Sequence, residues 1–161
     1  MPSPLQRPSH ERTTNAELAD RLAIRELVDA YAHCADRRDA EGQMSLFTGD
    51  TEFLVYMDSA ASAPSQTISG REGLRPVFEN LNTYATTTHF NGQSTVVLEG
   101  STAYGISYCL AHHVKVEPNG RSLMIASIRY LDRFVKQDSR WFFAQRILMV
   151  DWTDNRSLAS G

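Results

Sequence analysis

The 161-residue sequence holds only two cysteines, Cys34 and Cys109, and they form neither a CxxC pair nor a zinc-ligand spacing. A disulfide-stapled scaffold is excluded, and both read as reduced, buried thiols. There is no basic excess either: 16 Lys and Arg stand against 19 Asp and Glu, for a formal charge of -3. Without a positive surplus to neutralise phosphates, nucleic acid is not an expected partner. No apolar run approaches the roughly 18 residues of a membrane span. The opening segment, Met1 to Asn15, is polar, punctuated by proline and free of an apolar signal core. The expected setting is the cytoplasm, with no membrane partner. GxSxG, Walker, GxGxxG and HExxH motifs are missing, so triad-hydrolase, nucleotide and zincin readings find no support. His112 and His113 are adjacent, and a strand sends such neighbours to opposite faces, so they cannot chelate one metal. Neither a metal nor a cofactor is expected.

What is present fits one soluble domain, with 42% hydrophobic and 22% charged residues. Residues 1–14 are expected to be a flexible tail, residues 15–155 the domain, and residues 156–161 a flexible end. Thr14 followed by Glu17 spells a capping box, and Ile24, Leu27, Val28, Tyr31, Cys34 and Ala35 recur at helical spacing, predicting a helix over 15–35. Asp39 can cap a short helix through Phe47, and Gly49-Asp50 breaks it ahead of a strand over 52–57. Residues 58–66 read as a flap, and 71–82 as a third helix with Pro76 near its start. Four long strands follow, over 89–98, 103–116, 123–135 and 140–152, joined by short turns as in an antiparallel meander. Helices first and sheet later predict an α+β fold, with helices on one face of a curved sheet.

Parity selects the lining of the interior. In the second long strand the even residues Tyr104, Ile106, Tyr108, Leu110, His112, Val114 and Val116 are the larger, more apolar set, so this face is expected to look inward. In the last strand Arg146 stands alone among apolar even neighbours, and a buried arginine must pair with an acid such as Asp132 or meet an anionic ligand. Its odd residues are apolar too, which predicts a subunit contact and a homodimer or homotrimer.

Other residues are ambiguous taken singly. Tyr31 lies mid-stripe and can be a packing residue or a phenol facing a cavity. Asp36 ends the first helix, where the macrodipole disfavours a carboxylate, although Arg37 and Arg38 could neutralise it. His89 opens a strand whose odd face is polar, so alternation alone does not place it inside.

Tyr31-Ala32-His33-Cys34-Ala35-Asp36, Tyr56, Thr88-His89-Phe90 and the closing Asp138-Ser139-Arg140-Trp141-Phe142-Phe143 carry a resemblance. The layout resembles the SnoaL-like domains of the nuclear transport factor 2-like superfamily, nearest to the scytalone dehydratase and bile acid 7α-dehydratase group. That resemblance implies a cone-shaped fold enclosing a deep apolar pocket. It implies His89 as general base, Asp36 as its orienting carboxylate and Tyr31 as a phenol bonded to a developing enolate. It further implies Tyr56 and His112 as pocket residues, while Tyr130 and Arg146 depart from the fungal pattern and point to a substrate other than scytalone. The expected activity is cofactor-independent dehydration of a small hydrophobic cyclic hydroxy-ketone. Tyr56, His112, Arg146, Tyr130, Tyr108 and Leu110 are the expected substrate contacts. Rival readings are an isomerase or polyketide cyclase using the same enolate and a non-catalytic binding module; an epoxide hydrolase would want an Arg flanked by two Asp, and Arg129, Asp132 and Asp151 are present at a spacing that does not match.

Overall fold

The computed structural model describes residues 13–158. Residues 1–12 of the expected tail and 159–161 of the expected flexible end lie outside the described residues. Helix α1 (Asn15–Arg37) begins at the capping box: Thr14 Oγ1 accepts the Glu17 amide at 3.2 Å, and the Thr14 amide donates to Glu17 Oε2 at 2.7 Å. Its stripe of Ile24, Leu27, Val28, Tyr31, Ala32 and Ala35 is buried. The helix stops at Arg38, whose φ of 62° is left-handed, and the Arg38 and Asp39 amides turn back to the carbonyls of Ala35 and Cys34.

Asp39 caps α2 (Ala40–Met44) through the Gly42 amide at 2.8 Å. The helix ends short of Phe47 because the chain is drawn into the sheet, where the Leu46 carbonyl accepts the Phe143 amide. Strand β1 (Phe47–Tyr56) therefore starts earlier than expected, and Gly49-Asp50 falls inside it, at a register shift between Phe47 and Glu52. The expected flap ends in a short strand absent from the sequence reading, β2 (Gln66–Ser69), antiparallel to β1. The expected third helix is broken: α3 (Arg75–Glu79) is flanked by 3₁₀ turns at Arg71–Leu74 and Asn80–Thr83. Pro76 sits in its first turn, and lacking an amide it cannot continue the preceding turn as α-helix.

Strands β3 (Thr86–Glu99), β4 (Thr102–Glu117), β5 (Gly120–Gln137) and β6 (Arg140–Leu158) form the meander, with β6 running past residue 155. The sheet order is β2-β1-β6-β5-β4-β3, antiparallel except where β1 runs parallel to β6. Register shifts at Asn91/Ser94, Ser127/Ile128 and Arg133/Phe134 bend the strands and curve the sheet. The fold is α+β, with the helices on one face of a curved, open, mixed sheet.

Alternation assigns the faces of β4 the other way round. Ala103, Gly105, Ser107, Cys109, Ala111 and His113 are buried on the helix side, whereas Tyr108 and Leu110 are 37% and 39% exposed. Size is the cause. The inner face must admit α1 and the aromatic core, and a Cβ on Gly105 would lie 3.0 Å from both the Phe134 ring and the Thr95 carbonyl. The large even residues, His112 included, occupy the face that no helix among the described residues covers. Tyr56 is outward by alternation, since Phe53 and Val55 are buried positions of β1. In β6 the extra residue Ala144 shifts the register, so Trp141 and Phe143 share the inner face with Arg146.

The centre, expected to be a deep apolar pocket, is filled by packed rings. Phe47 stacks on Phe143 at 4.9 Å, and Tyr31 makes edge contacts with Phe47, Phe78, Tyr130 and Phe143. Open space lies elsewhere. A cavity of about 30 Å³ sits between α1 and the sheet beside Val28, Ser107 and Asp132, and a cleft of about 210 Å³ opens by Tyr84 and His113.

Candidate active site

Asp36, in the last turn of α1, is stabilised by β3 rather than by its arginine neighbours. Its Oδ2 accepts the His89 amide at 2.9 Å, and its Oδ1 accepts the Thr87 hydroxyl at 3.0 Å and meets His89 Nδ1 at 2.7 Å. An ionised carboxylate only accepts, so Nδ1 carries the proton and the Nε2 lone pair is left as a base. The His89 side chain is 7% exposed and that of Asp36 28%, so the pair is held in protein with an edge open to solvent.

Arg38, expected only to neutralise Asp36, and Thr87, to which the sequence reading assigned no role, complete the cluster. Arg38 donates to the Thr87 hydroxyl at 2.6 Å and to the carbonyls of Ala35 and Tyr84 at 3.1 and 3.2 Å. Its left-handed backbone ends α1 at the point where the guanidinium can tie the helix to β3. Thr87 could have been found by alternation, since it shares the face of His89.

The second histidine near the pair is His113, not His112. The His113 ring lies 5.5 Å from the His89 ring at 89°, and Tyr84 packs on it at 4.7 Å. Burial lowers the His113 pKa to about 4, helped by the charges of His89 and Arg38 and opposed by Asp36. Its odd parity, shared with the small residues of β4, was the available signal.

Tyr31 belongs to a different cluster. Arg146 donates to Asp132 through Nε and Nη2, both at 2.8 Å, and its guanidinium carbon sits 4.2, 4.1 and 4.1 Å from the ring centres of Tyr31, Tyr130 and Phe143. The Arg146 Nη1 is buried with no hydrogen-bond partner among the described residues. Burial pushes the Tyr31 phenol up to about 12 against the pull of Arg146, and drives Tyr130 up as well. Cys109 lies between the clusters: burial raises its thiol to about 12, with Arg146 opposing and Asp36 adding.

Arg129 pairs with Asp151 at 2.6 Å while Asp132 is taken by Arg146, so the three do not converge as an epoxide hydrolase would need. Among the described residues no three His, Cys, Asp or Glu side chains group as metal ligands, and no helix is long and apolar enough to cross a membrane.

Solved structures share this architecture. A Novosphingobium aromaticivorans protein provisionally designated a scytalone dehydratase superposes with a TM-score of 0.73 at 23% identity, covering 89% of this chain and 91% of that one. The type 2 hexachlorocyclohexane dehydrochlorinase LinA gives 0.72 at 21% identity, over 89% and 91% of the two chains. A Mycobacterium tuberculosis protein of unknown function gives 0.70 at 26% identity, over 84% of this chain and 74% of that one. No curated protein matches the sequence at a significant level. At such identities the likeness carries the fold, which is nuclear transport factor 2-like. The SnoaL-like domain family matches residues 16–147, the span that holds α1, the His89–Asp36 pair and Arg146, and the chain belongs to that family.

Proposed function

We propose that this protein is a cofactor-independent lyase that removes water from a cyclic or polycyclic hydroxy-ketone. The observation that carries the reading is the His89 Nδ1 to Asp36 contact at 2.7 Å, with both carboxylate oxygens further engaged by Thr87 and the His89 amide. A binding module has no need of such an arrangement and would leave Asp36 to solvent. In the proposed reaction His89 Nε2 takes the proton next to the ketone, Asp36 stabilises the imidazolium, and the same proton returns to the departing hydroxyl. Tyr31, kept protonated by burial, is the donor to the enolate oxygen that the resemblance implies, a role that would need its packed ring cluster to open toward His89. Arg146 and Tyr130 belong to that same ring cluster. Two of the fold neighbours bear the names of eliminating enzymes, a dehydratase and a dehydrochlorinase. Isomerisation or cyclisation would pass through the same enolate, and product mass separates them because dehydration alone loses water.

Turnover of a panel of cyclic hydroxy-ketones, followed by mass spectrometry, is the test. General acid–base catalysis supplies about 10²- to 10⁴-fold, so His89→Ala should lose about 3 to 5.5 kcal/mol of barrier lowering. Asp36→Asn should fall nearly as far, and the double variant no further than His89→Ala, since the two act as a unit. Near wild-type rates in both single variants would overturn the reading.

A further inference from the structure

Arg38 occupies a backbone position that suits glycine better than arginine. Its φ of 62° is the left-handed conformation that closes a helix, where a Cβ makes the backbone costly. The side chain supplies the reason for an arginine there. It leaves the end of α1 for the start of β3, where Nη1 donates to the Thr87 hydroxyl at 2.6 Å and Nη2 to the Tyr84 carbonyl at 3.2 Å.

The guanidinium does not touch the carboxylate two residues before it. Asp36 pairs with His89, and among the described residues no ion pair joins it to Arg38. Arg38 reaches Asp36 only by way of Thr87, which is 5% exposed and shares the face of His89 on β3. The chemistry of these groups then sets the direction of each proton. A guanidinium has donors and no acceptor, so the Thr87 oxygen accepts from Arg38 with a lone pair, and its single proton is left for Asp36 Oδ1 at 3.0 Å. With His89 Nδ1 also on Oδ1 and the His89 amide on Oδ2, the carboxylate is held at three points. Without Arg38 the Thr87 hydroxyl would be free to turn its proton elsewhere, and Asp36, 28% exposed, free to swing toward water.

We propose that Arg38 is a positioning residue for His89: through Thr87 it locks Asp36 against Nδ1, which holds the imidazole in the tautomer whose lone pair is on Nε2. The catalytic side of this proposal rests on His89 and Asp36 being the reacting pair. The tautomer itself belongs to the resting protein and is read without a substrate.

The test is the imidazole ¹⁵N spectrum of the full chain at mildly alkaline pH, with the His89 signals identified by their absence from His89→Ala. The wild type should show a protonated Nδ1 and a bare Nε2. Thr87→Val keeps the shape of the side chain and deletes only the hydroxyl, and Arg38→Gly deletes the guanidinium at a backbone position that glycine adopts without strain. Each should move His89 toward the Nε2-protonated form and speed exchange of the Nδ1 proton with water about 10-fold. Thr87→Ser, which restores the hydroxyl, should recover the wild-type tautomer. Because Arg38 acts through Thr87, the double variant should be displaced no further than Thr87→Val alone, whereas two independent struts would add. On the hydroxy-ketone of the panel that the wild type dehydrates, kcat should fall about 10-fold in each single variant with KM within about twofold. An unchanged His89 tautomer and exchange rate in both single variants, or additive effects in the double variant, would overturn the role of Arg38. If the spectra move as expected while His89→Ala keeps wild-type turnover, Arg38 still positions His89 and it is the catalytic reading that falls.

Discussion

Arg146 shows how far a residue's surroundings can depart from its ordinary ones: the guanidinium is fully buried, caged by three rings and tied to Asp132. Removing only the cation would strand the Asp132 carboxylate, so Arg146→Met should cost about 3 to 5 kcal/mol in urea unfolding, and adding Asp132→Leu should recover most of it. If the single variant is as stable as the wild type, the pair is not the strut that its burial indicates. Arg146 and its partner were legible in the sequence, because an arginine alone on an apolar strand face has few alternatives. His113 carries a pH prediction. The folded state takes up its proton near pH 4 and the unfolded chain near 6.5, so between these values the unfolded chain holds more protons and stability falls as pH falls. Between pH 7 and 5 the loss should be about 2 kcal/mol, and His113→Asn should flatten that part of the profile. A wild-type profile with no slope there would contradict the burial of a neutral imidazole.

Among the elements, those set by local chemistry were legible and those set by packing were not. The capping box located the start of α1 because two reciprocal hydrogen bonds define it, and Thr14→Ala should lower stability by about 1 kcal/mol in thermal melts, with an unchanged value counting against the cap. The meander was legible from its turns, including Asp138-Ser139, where both residues take positive φ as the tight hairpin requires. The faces of β4 were misread because apolar size was taken as the mark of the interior. On β4 the inner face carries mainly small residues, Gly105 most plainly, because the aromatic bulk of the core comes from β1, β5 and β6, and the large residues of β4 went to the other side. That single inversion accounts for the displacement of His112, Tyr108 and Leu110 from the site and the arrival of His113. Tyr31 and Asp36 are five residues apart, which places them on different sides of the helix axis, so one meets the core and the other meets β3. Strand β2 left little trace in sequence because it is four residues long with one buried position, Ile68.

At the scale of the whole molecule, the outer sheet face is covered by no helix among the described residues. Phe90, Tyr108, Leu110 and Trp152 are 68%, 37%, 39% and 52% exposed on it, a group of large apolar side chains on one face. We expect this face to meet other copies of the chain, as a homodimer or homotrimer. Sedimentation should report a mass above the 18.1 kDa of one chain, and Leu110→Glu with Trp152→Glu should return it to the monomer. A wild-type monomer at micromolar concentration would refute this. The strand order has a consequence for biosynthesis. Strand β6, the last of the described strands, lies between β5 and β1, so the β1–β2 hairpin has no place in the sheet until residues 140–158 have emerged from the ribosome. The parallel β1–β6 pairing joins segments far apart in sequence, a contact that closes late and slowly. Throughout translation of residues 47–139 Phe47 and Phe53 would therefore wait without their β6 neighbours, leaving apolar surface open to wrong contacts until β6 arrives.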